Sequence, residues 1–138
     1  MKKTAVITGA SKGIGAATAI LFAQKGYNVV LNYNDSFESV NLLARSLSQN
    51  GMSVTAIKAN VANRLEVELL MKETIYKYGS IDVLVNNAGI AMQGLITDID
   101  EYDVDRIFDI DLKGVYNCCR AVTPIMVEQK SGKIINIS

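Results

Sequence analysis

The stretch "TGASKGIG", residues Thr8 to Gly15, decides the fold. The residues 4–8, "TAVIT", are typical of a short buried β-strand, and a pattern of small residues with helical spacing follows to about residue 25. A glycine-rich turn between a strand and a helix predicts the first unit of a doubly wound parallel sheet. The free amides of the first helical turn then point to the edge where such sheets bind the diphosphate of a dinucleotide.

The spacing of the three glycines matches neither G-x-G-x-x-G nor a P-loop. Gly9 permits a tight turn, Gly13 lets a cofactor approach the backbone, and Gly15 lets the helix pack closely against the sheet. A tight β–α turn without a ligand is the alternative. The hydroxyl of Ser11 together with three glycines favours ligand binding.

The rest of the chain alternates strands with helices. We expect strands over residues 27–33, 53–59, 81–87 and 133–138, separated by helices. Ser36 and Asn63 are candidate N-caps, the latter with Glu66 at capping-box spacing, and a long helix over about 100–128 is expected to kink near Pro124. Crossover connections make the strands parallel, so the prediction is one Rossmann-like α/β domain over residues 1–138 with strand order 3-2-1-4-5.

Composition excludes several classes of function. The chain has 14 basic and 14 acidic residues, which gives no electrostatic footprint for nucleic acid or an anionic membrane. No apolar stretch approaches the ~20 residues of a membrane span, and the apolar stretch near the N-terminus is too short for a signal peptide. A cytoplasmic protein is therefore expected. There is no histidine, and the adjacent Cys118 and Cys119 are expected to be small buried hydrophobes rather than a disulfide or a metal site.

A second motif, "VNNAG" over residues 85–89, ends the fourth strand beside the first. Together the two motifs resemble those of the short-chain dehydrogenase/reductase family, T-G-x-x-x-G-x-G and N-N-A-G, without substitution. "TGASKGIG", "VVLNYN" and "GKIINIS" are most similar to its 3-oxoacyl-(acyl-carrier-protein) reductase branch. The resemblance implies hydride transfer between a nicotinamide cofactor and a carbonyl carbon, in fatty acid biosynthesis for that branch.

The resemblance also implies a set of cofactor contacts. It favours NADP(H) over NAD, because Tyr33 stands where NAD-preferring members carry an acid and Lys12 stands where NADP-preferring members carry a cation. Asn60 and Val61 are expected at the adenine, with the side-chain oxygen of Asn60 accepting from the adenine amino group. The implied cofactor-binding residues are Gly9, Ser11, Lys12, Gly13, Ile14, Gly15, Tyr33, Asn34, Asn60, Val61, Asn87, Ala88 and Gly89. No metal site is expected.

The catalytic residues of the family are only partly matched. The family uses a tyrosine with a lysine four residues later, a serine after strand five, and an asparagine in the fourth helix. Asp111 occupies the asparagine position, where it either still anchors a water or disturbs the site; both readings stay open. None of the six tyrosines begins Tyr-x-x-x-Lys, and Tyr102–Arg106 and Tyr116–Arg120 are expected to be i, i+4 pairs on a helix surface.

The chain ends at Ser138, one residue before the position at which the family carries its catalytic serine. We therefore expect a C-terminally truncated single-domain reductase that lacks the last strands of the family and is inactive alone. A non-catalytic dinucleotide-binding module and a half-domain completed by a partner subunit are the alternatives. The resemblance implies a homo-oligomer and a carbonyl substrate linked to acyl carrier protein. Strand five should present an open apolar edge.

Overall fold

The computed structural model describes the whole chain, residues 1–138. Five strands alternate with helices. The strands are β1 (Thr4–Ile7), β2 (Asn28–Tyr33), β3 (Val54–Lys58), β4 (Val83–Asn86) and β5 (Lys133–Asn136). The helices are α1 (Gly13–Gln24), α2 (Phe37–Gln49), α3 (Arg64–Tyr78), α4 (Glu101–Ile107) and α5 (Gly114–Gln129), with a π-helical turn (Phe108–Lys113) between the last two.

The predicted parallel sheet is confirmed. Its strand order is β3-β2-β1-β4-β5, and the central β1 pairs with β2 and β4, so that Val6 lies opposite Val30 and Leu84. Every residue of β1 is buried, because helices cover both of its faces. One apolar cluster packs beneath α3 and α5, and the other beneath α1 and α2. The order of the strands reverses at β1, which places the topological switch point at its carboxyl end.

The start of α3 is capped nearly as predicted. The side chain of Asn63 accepts from the backbone N–H of Glu66 at 3.2 Å. The carboxylate of Glu66 accepts from the N–H of Asn60 at 3.2 Å rather than from that of Asn63, so the expected reciprocal capping box does not close. Ser36 occupies the N-cap position of α2 as predicted, but its side chain makes no capping hydrogen bond.

The helix does not break near Pro124, where a break or kink was expected. α5 runs through Pro124 without interruption, and the irregular segment is the π-helical turn, which ends about three helical turns before Pro124. One tertiary contact is made by Asp111 within this turn, and a second by Gly114 directly after it. Asp111 reaches the backbone of Ile90, and a Cβ added to Gly114 would lie 2.6 Å from Val61 Cγ2. Because these contacts are remote in sequence, no local breaker residue marks the irregularity.

β5 is an edge strand of exposed residues, as predicted. Ile134, Ile135 and Ile137 are 38%, 42% and 41% exposed, whereas Ile7 in β1 is fully buried. The same type of side chain is therefore covered at the centre of the sheet and open at its edge. None of the helices has the length and apolar character required to traverse a lipid bilayer.

Candidate functional site

A cleft of about 230 Å³ opens at the carboxyl ends of the central strands. This is the edge of the sheet at which doubly wound folds bind their ligands. Eight residues from the sequence-derived set line it: Gly9, Ser11, Lys12, Asn34, Asn60, Val61, Ala88 and Gly89. A larger groove of about 380 Å³ lies between α3 and α5 around the exposed Arg64–Glu68 ion pair. That groove lies on helix surfaces, away from the strand ends.

Thr8 joins the ends of β1 and β4. Its buried hydroxyl accepts from the backbone N–H groups of Asn87 and Ala88, each at 2.9 Å. The same hydroxyl donates to the carbonyl of Val85 at 3.3 Å. One hydroxyl thus uses its donor and both of its acceptor sites. This arrangement fixes the "NNAG" segment against the glycine turn.

The glycine turn and Asn87 pack together without spare room. The side-chain amide of Asn87 donates to the carbonyls of Thr8 at 3.2 Å and Gly9 at 3.1 Å. Gly9 has a φ of +61°, and a Cβ there would lie 2.8 Å from Ala88 Cα. A Cβ on Gly15 would overlap the carbonyl oxygen of Gly9. Gly15 therefore allows α1 to pack against the turn itself, whereas the sequence had suggested the sheet.

The start of α1 is left free for a ligand. Lys12 precedes the helix in an extended conformation with no side-chain cap, and the first turn contains no acidic residue. Gly13 has a φ of +58°, and the space around its missing Cβ is open for 4 Å. A 12-residue helix with uncapped first-turn amides beside an exposed lysine offers the donors and the positive potential that phosphate oxygens require.

Asn32 is a site residue that the sequence reasoning missed. It is buried at the end of β2, where its amide nitrogen donates to the carbonyl of Ala59 at 3.0 Å. Its oxygen accepts from the N–H of Gly9 at 3.4 Å. The side chain thus links the end of β2 to the segment after β3 and to the glycine turn. The signal was available, since an asparagine interrupts the apolar run "VVLNY".

Asn60 lines the cleft and is partly engaged within the protein. Its side-chain oxygen accepts from the N–H of Ala62 at 3.0 Å in a local turn. The group without a protein partner is the amide nitrogen, which is a donor. The oxygen also keeps a second acceptor site, so the expected acceptance from an adenine amino group stays a prediction.

Five residues from the sequence-derived set do not line the cleft: Gly13, Ile14, Gly15, Tyr33 and Asn87. The ring of Tyr33 lies against that of Phe37, with centroids 6.0 Å apart, while Asn34 and Asp35 line the cleft instead. Arg106 of α4 also lines it and was not anticipated. Two cations, Lys12 and Arg106, and one carboxylate, Asp35, thus surround this cleft.

Asp111 lies in the π-helical turn at the edge of the cleft. Its Oδ1 accepts from the N–H of Ile90 at 2.8 Å, and a Cβ on Gly89 would lie 3.3 Å from the same oxygen. Either a carboxylate or an amide oxygen can accept such a bond. The aspartate therefore anchors the segment after β4 with the part of the side chain that aspartate and asparagine share.

The two tyrosine–arginine pairs lie on helix surfaces, where Tyr102 and Tyr116 are exposed. Arg120 donates to the hydroxyl of Tyr116 at 3.1 Å, which confirms that predicted i, i+4 pair, and Arg106 lies 5.9 Å from the ring centroid of Tyr102. Burial raises the pKa of the Cys118 thiol to about 12, with a smaller contribution from Cys119. Cys118 is therefore a neutral buried thiol at ordinary pH, and no group of three or more metal-binding side chains is present.

A parallel sheet in the order 3-2-1-4-5, with a glycine turn and an uncapped helix at its switch point, defines a protein of the Rossmann-like dinucleotide-binding class. The short chain dehydrogenase family model matches residues 3–138. The chain belongs to the short-chain dehydrogenase family.

Two curated relatives and two solved structures illustrate the match. The chain is 45% identical over 138 residues to 3-oxoacyl-[acyl-carrier-protein] reductase FabG of Staphylococcus aureus (strain Mu50 / ATCC 700699), covering all of this chain and 56% of that protein. It is 44% identical to the 3-oxoacyl-[acyl-carrier-protein] reductase of Synechocystis sp., covering 99% of this chain and 55% of that protein.

A metagenomic short-chain oxidoreductase in complex with NADP has a TM-score of 0.92 at 33% identity, with 99% of this chain and 62% of that chain covered. A gluconate 5-dehydrogenase from Burkholderia cenocepacia J2315, in complex with NADP and tartrate, has a TM-score of 0.89 at 32% identity, with 99% of this chain and 53% of that chain covered. The chain spans about half the length of the curated relatives that it matches.

Proposed function

We propose that this chain is the nucleotide-binding part of an NADP(H)-dependent short-chain reductase. The observation that carries the proposal is the cleft at the switch point, which Ser11 and Lys12 line, together with the uncapped start of α1 that directly follows Lys12. The amides of α1 would hold the diphosphate bridge of the cofactor, and Asn34 and Asn60 would contact its adenosine half. When bound, the nicotinamide supplies or accepts the hydride.

The choice of NADP(H) over NAD depends on charge. Lys12 is exposed at the cleft, and Arg106 adds a second cation. Tyr33 is uncharged and lies outside the lining, while Asp35 lies two residues further along the chain. The two cations attract the negative charge of a 2′-phosphate, and its oxygens can form charge-assisted hydrogen bonds with a lysine. The NADP complexes of the two structural neighbours support this choice.

We propose a 3-oxoacyl thioester carried on acyl carrier protein as the substrate, reduced to the alcohol. The support comes from the curated relatives named as 3-oxoacyl-[acyl-carrier-protein] reductases at 44–45% identity. The 138 residues by themselves contain no Tyr-x-x-x-Lys to donate the proton. We therefore propose that they bind the cofactor but do not reduce a ketone. In the whole protein, Asp111 would hold the segment after β4 at the edge of the reacting groups.

We also propose that the protein is a homo-oligomer. Phe108, Leu112 and Tyr116 follow one another at intervals of four residues on the outer surface of the π-helical turn and α5, and each is more than half exposed. A second copy would cover this row. Analytical ultracentrifugation tests the proposal, and a monomer at every concentration would contradict it.

Titration calorimetry with NADPH and NADH tests the cofactor assignment. The wild-type chain should bind NADPH more tightly than NADH. Lys12→Ala should lower the affinity for NADPH about tenfold and leave the affinity for NADH nearly unchanged. Lys25→Ala, at the opposite end of α1, is the matched control and should change neither affinity. Equal weakening of both cofactors by Lys12→Ala would contradict the role of Lys12. Failure of both cofactors to bind would contradict the function as a whole.

A further inference from the structure

The carboxylate of Asp111 uses only one of its two oxygens within the protein. Oδ1 accepts from the backbone N–H of Ile90 at 2.8 Å, and Oδ2 has no hydrogen-bond partner in the chain. The side chain takes part in no ion pair, because the only ion pair joins Arg64 and Glu68. An asparagine would supply the same anchoring oxygen. The contact with Ile90 thus leaves the negative charge of Asp111 without a partner.

This charge lies beside the part of the cleft that follows β4. Gly89 and Ile90 line the cleft, and a Cβ on Gly89 would lie 3.3 Å from Oδ1 and 3.6 Å from Oδ2 of Asp111. Asn34 and Asn60 line the cleft after β2 and β3 instead. A dinucleotide at the switch point of a doubly wound sheet spans both halves of that sheet. Because the adenosine half is assigned to Asn34 and Asn60, the nicotinamide half falls on the side of β4 and Asp111.

We propose that the carboxylate of Asp111 makes this site prefer the oxidised form of the nicotinamide cofactor. The inference rests on the proposed cofactor site and deepens it. NADP⁺ and NADPH differ in the charge of the nicotinamide ring, which is a cation when oxidised and neutral when reduced. A carboxylate on that side of the cleft attracts the cation alone, so it favours the binding of NADP⁺ over that of NADPH.

The same preference favours one direction of the reaction. When NADPH reduces a carbonyl group, a hydride leaves the ring with its electron pair and bonds to the carbonyl carbon. A proton from the protein or the solvent adds to the carbonyl oxygen, and the ring is left as a cation. Stabilising this cation makes bound NADPH a stronger hydride donor, by the same factor by which the binding of NADP⁺ is favoured. Asp111 is therefore a specificity-determining residue that favours reduction of the carbonyl.

The size of the effect depends on the surroundings of the carboxylate. Arg106 lines the cleft and Lys113 ends the π-helical turn, but neither forms an ion pair with Asp111. The side chain of Asp111 is exposed, so water and dissolved ions weaken its field. At a water-like dielectric constant and a separation of roughly 7 Å, Coulomb's law gives about a threefold preference.

The test measures the affinities of the full chain for NADP⁺ and NADPH by titration calorimetry at low salt. In Asp111→Asn, which keeps an oxygen for the N–H of Ile90, the ratio of the affinities should move about threefold toward NADPH. Asp35→Asn is the matched control, because it removes the same charge from the adenosine side of the cleft, where the two forms are identical. It should leave the ratio unchanged. Added salt should shrink the difference between the wild type and Asp111→Asn.

A second variant keeps the inference testable if Asp111→Asn is unstable. Asp111→Ala also releases the N–H of Ile90, so both affinities should fall, while their ratio should move as in Asp111→Asn. An unchanged ratio in the neutral variants, or an equal change in Asp35→Asn, would overturn the inference and leave the proposed cofactor intact. If neither form binds the wild type, the proposed cofactor is wrong and the inference is overturned with it.

Discussion

Two sets of residues at the carboxyl ends of the strands are used in different ways. Thr8, Gly15 and Asn87, which do not line the cleft, are packed against or hydrogen-bonded to neighbouring backbone, and we call these three the framework residues. Lys12 and Asn60 line the cleft; Lys12 is exposed, and Asn60 has an amide nitrogen without a protein partner. We call Lys12 and Asn60 the contact residues.

The difference shows that one sequence motif serves two purposes. "TGASKGIG" contains the framework residues Thr8 and Gly15 and the contact residue Lys12 within eight positions. Substitutions of framework residues should lower stability and cofactor binding together, since the glycine turn cannot keep its shape. Substitutions of contact residues should change cofactor binding alone.

The largest effect is expected from Gly15→Ala. The added Cβ would overlap the carbonyl oxygen of Gly9 and lie 2.5 Å from Asn87 Nδ2, so α1 must move away from the turn. We expect a loss of about 3 kcal/mol in the free energy of unfolding, measured in urea, together with loss of NADPH binding. Gly51→Ala is the control: it has a φ of +80° and free space, so it should cost about 1–2 kcal/mol and leave binding unchanged. Normal binding by Gly15→Ala would show that Gly15 is not part of the framework.

Thr8→Val should have the next largest effect. The change keeps the shape but leaves the N–H groups of Asn87 and Ala88 without their acceptor. We expect a loss of about 2 kcal/mol in the free energy of unfolding, whereas Thr8→Ser keeps the hydroxyl and should lose about 1 kcal/mol. Equilibrium urea unfolding of the two variants measures the difference. Equal losses would mean that the methyl group, rather than the hydroxyl, stabilises the junction of β1 and β4.

The sequence was sufficient for the fold because its signals are local and consistent. The five strands were predicted from buried β-branched runs, glycine stops and the glycine turn, and their order was predicted from the doubly wound pattern. The π-helical turn escaped prediction because it depends on contacts of Asp111 and Gly114 with segments far away in sequence. Pro124 is a local signal, and its expected effect on the course of the helix was overestimated.

The candidate site was predictable in location but less so in detail. The glycine turn marked the switch point, and eight of the expected residues line the cleft there. The use of each polar side chain was not predictable, because it depends on which backbone group lies nearby. The side-chain oxygen of Asn60 accepts from the N–H of Ala62. The side chain of Asn32 is hydrogen-bonded to both the glycine turn and the segment after β3.

A smaller effect is expected at Asp111, whose carboxylate holds the segment after β4. Asp111→Ala removes the acceptor for the N–H of Ile90 in an exposed region, so the free energy of unfolding should fall by about 0.5–1 kcal/mol. Asp111→Asn keeps an oxygen at the same position and should remain within about 0.5 kcal/mol of the wild type. Hydrogen exchange of the Ile90 amide reports the bond directly. Faster exchange in Asp111→Asn than in the wild type would mean that the charge of the carboxylate is needed.

The smallest effect on stability is expected from Lys12→Ala, and this makes it the sharpest test of the comparison. Lys12 is exposed, takes part in no ion pair, and has no side-chain hydrogen bond at the start of α1. Its removal should therefore change the free energy of unfolding by less than about 0.5 kcal/mol. In the presence of saturating NADPH, however, the variant should unfold at a lower temperature than the wild type, because a ligand stabilises the folded state in proportion to the logarithm of its affinity. A variant that is less stable without cofactor would place Lys12 among the framework residues and remove the distinction between framework and contact residues.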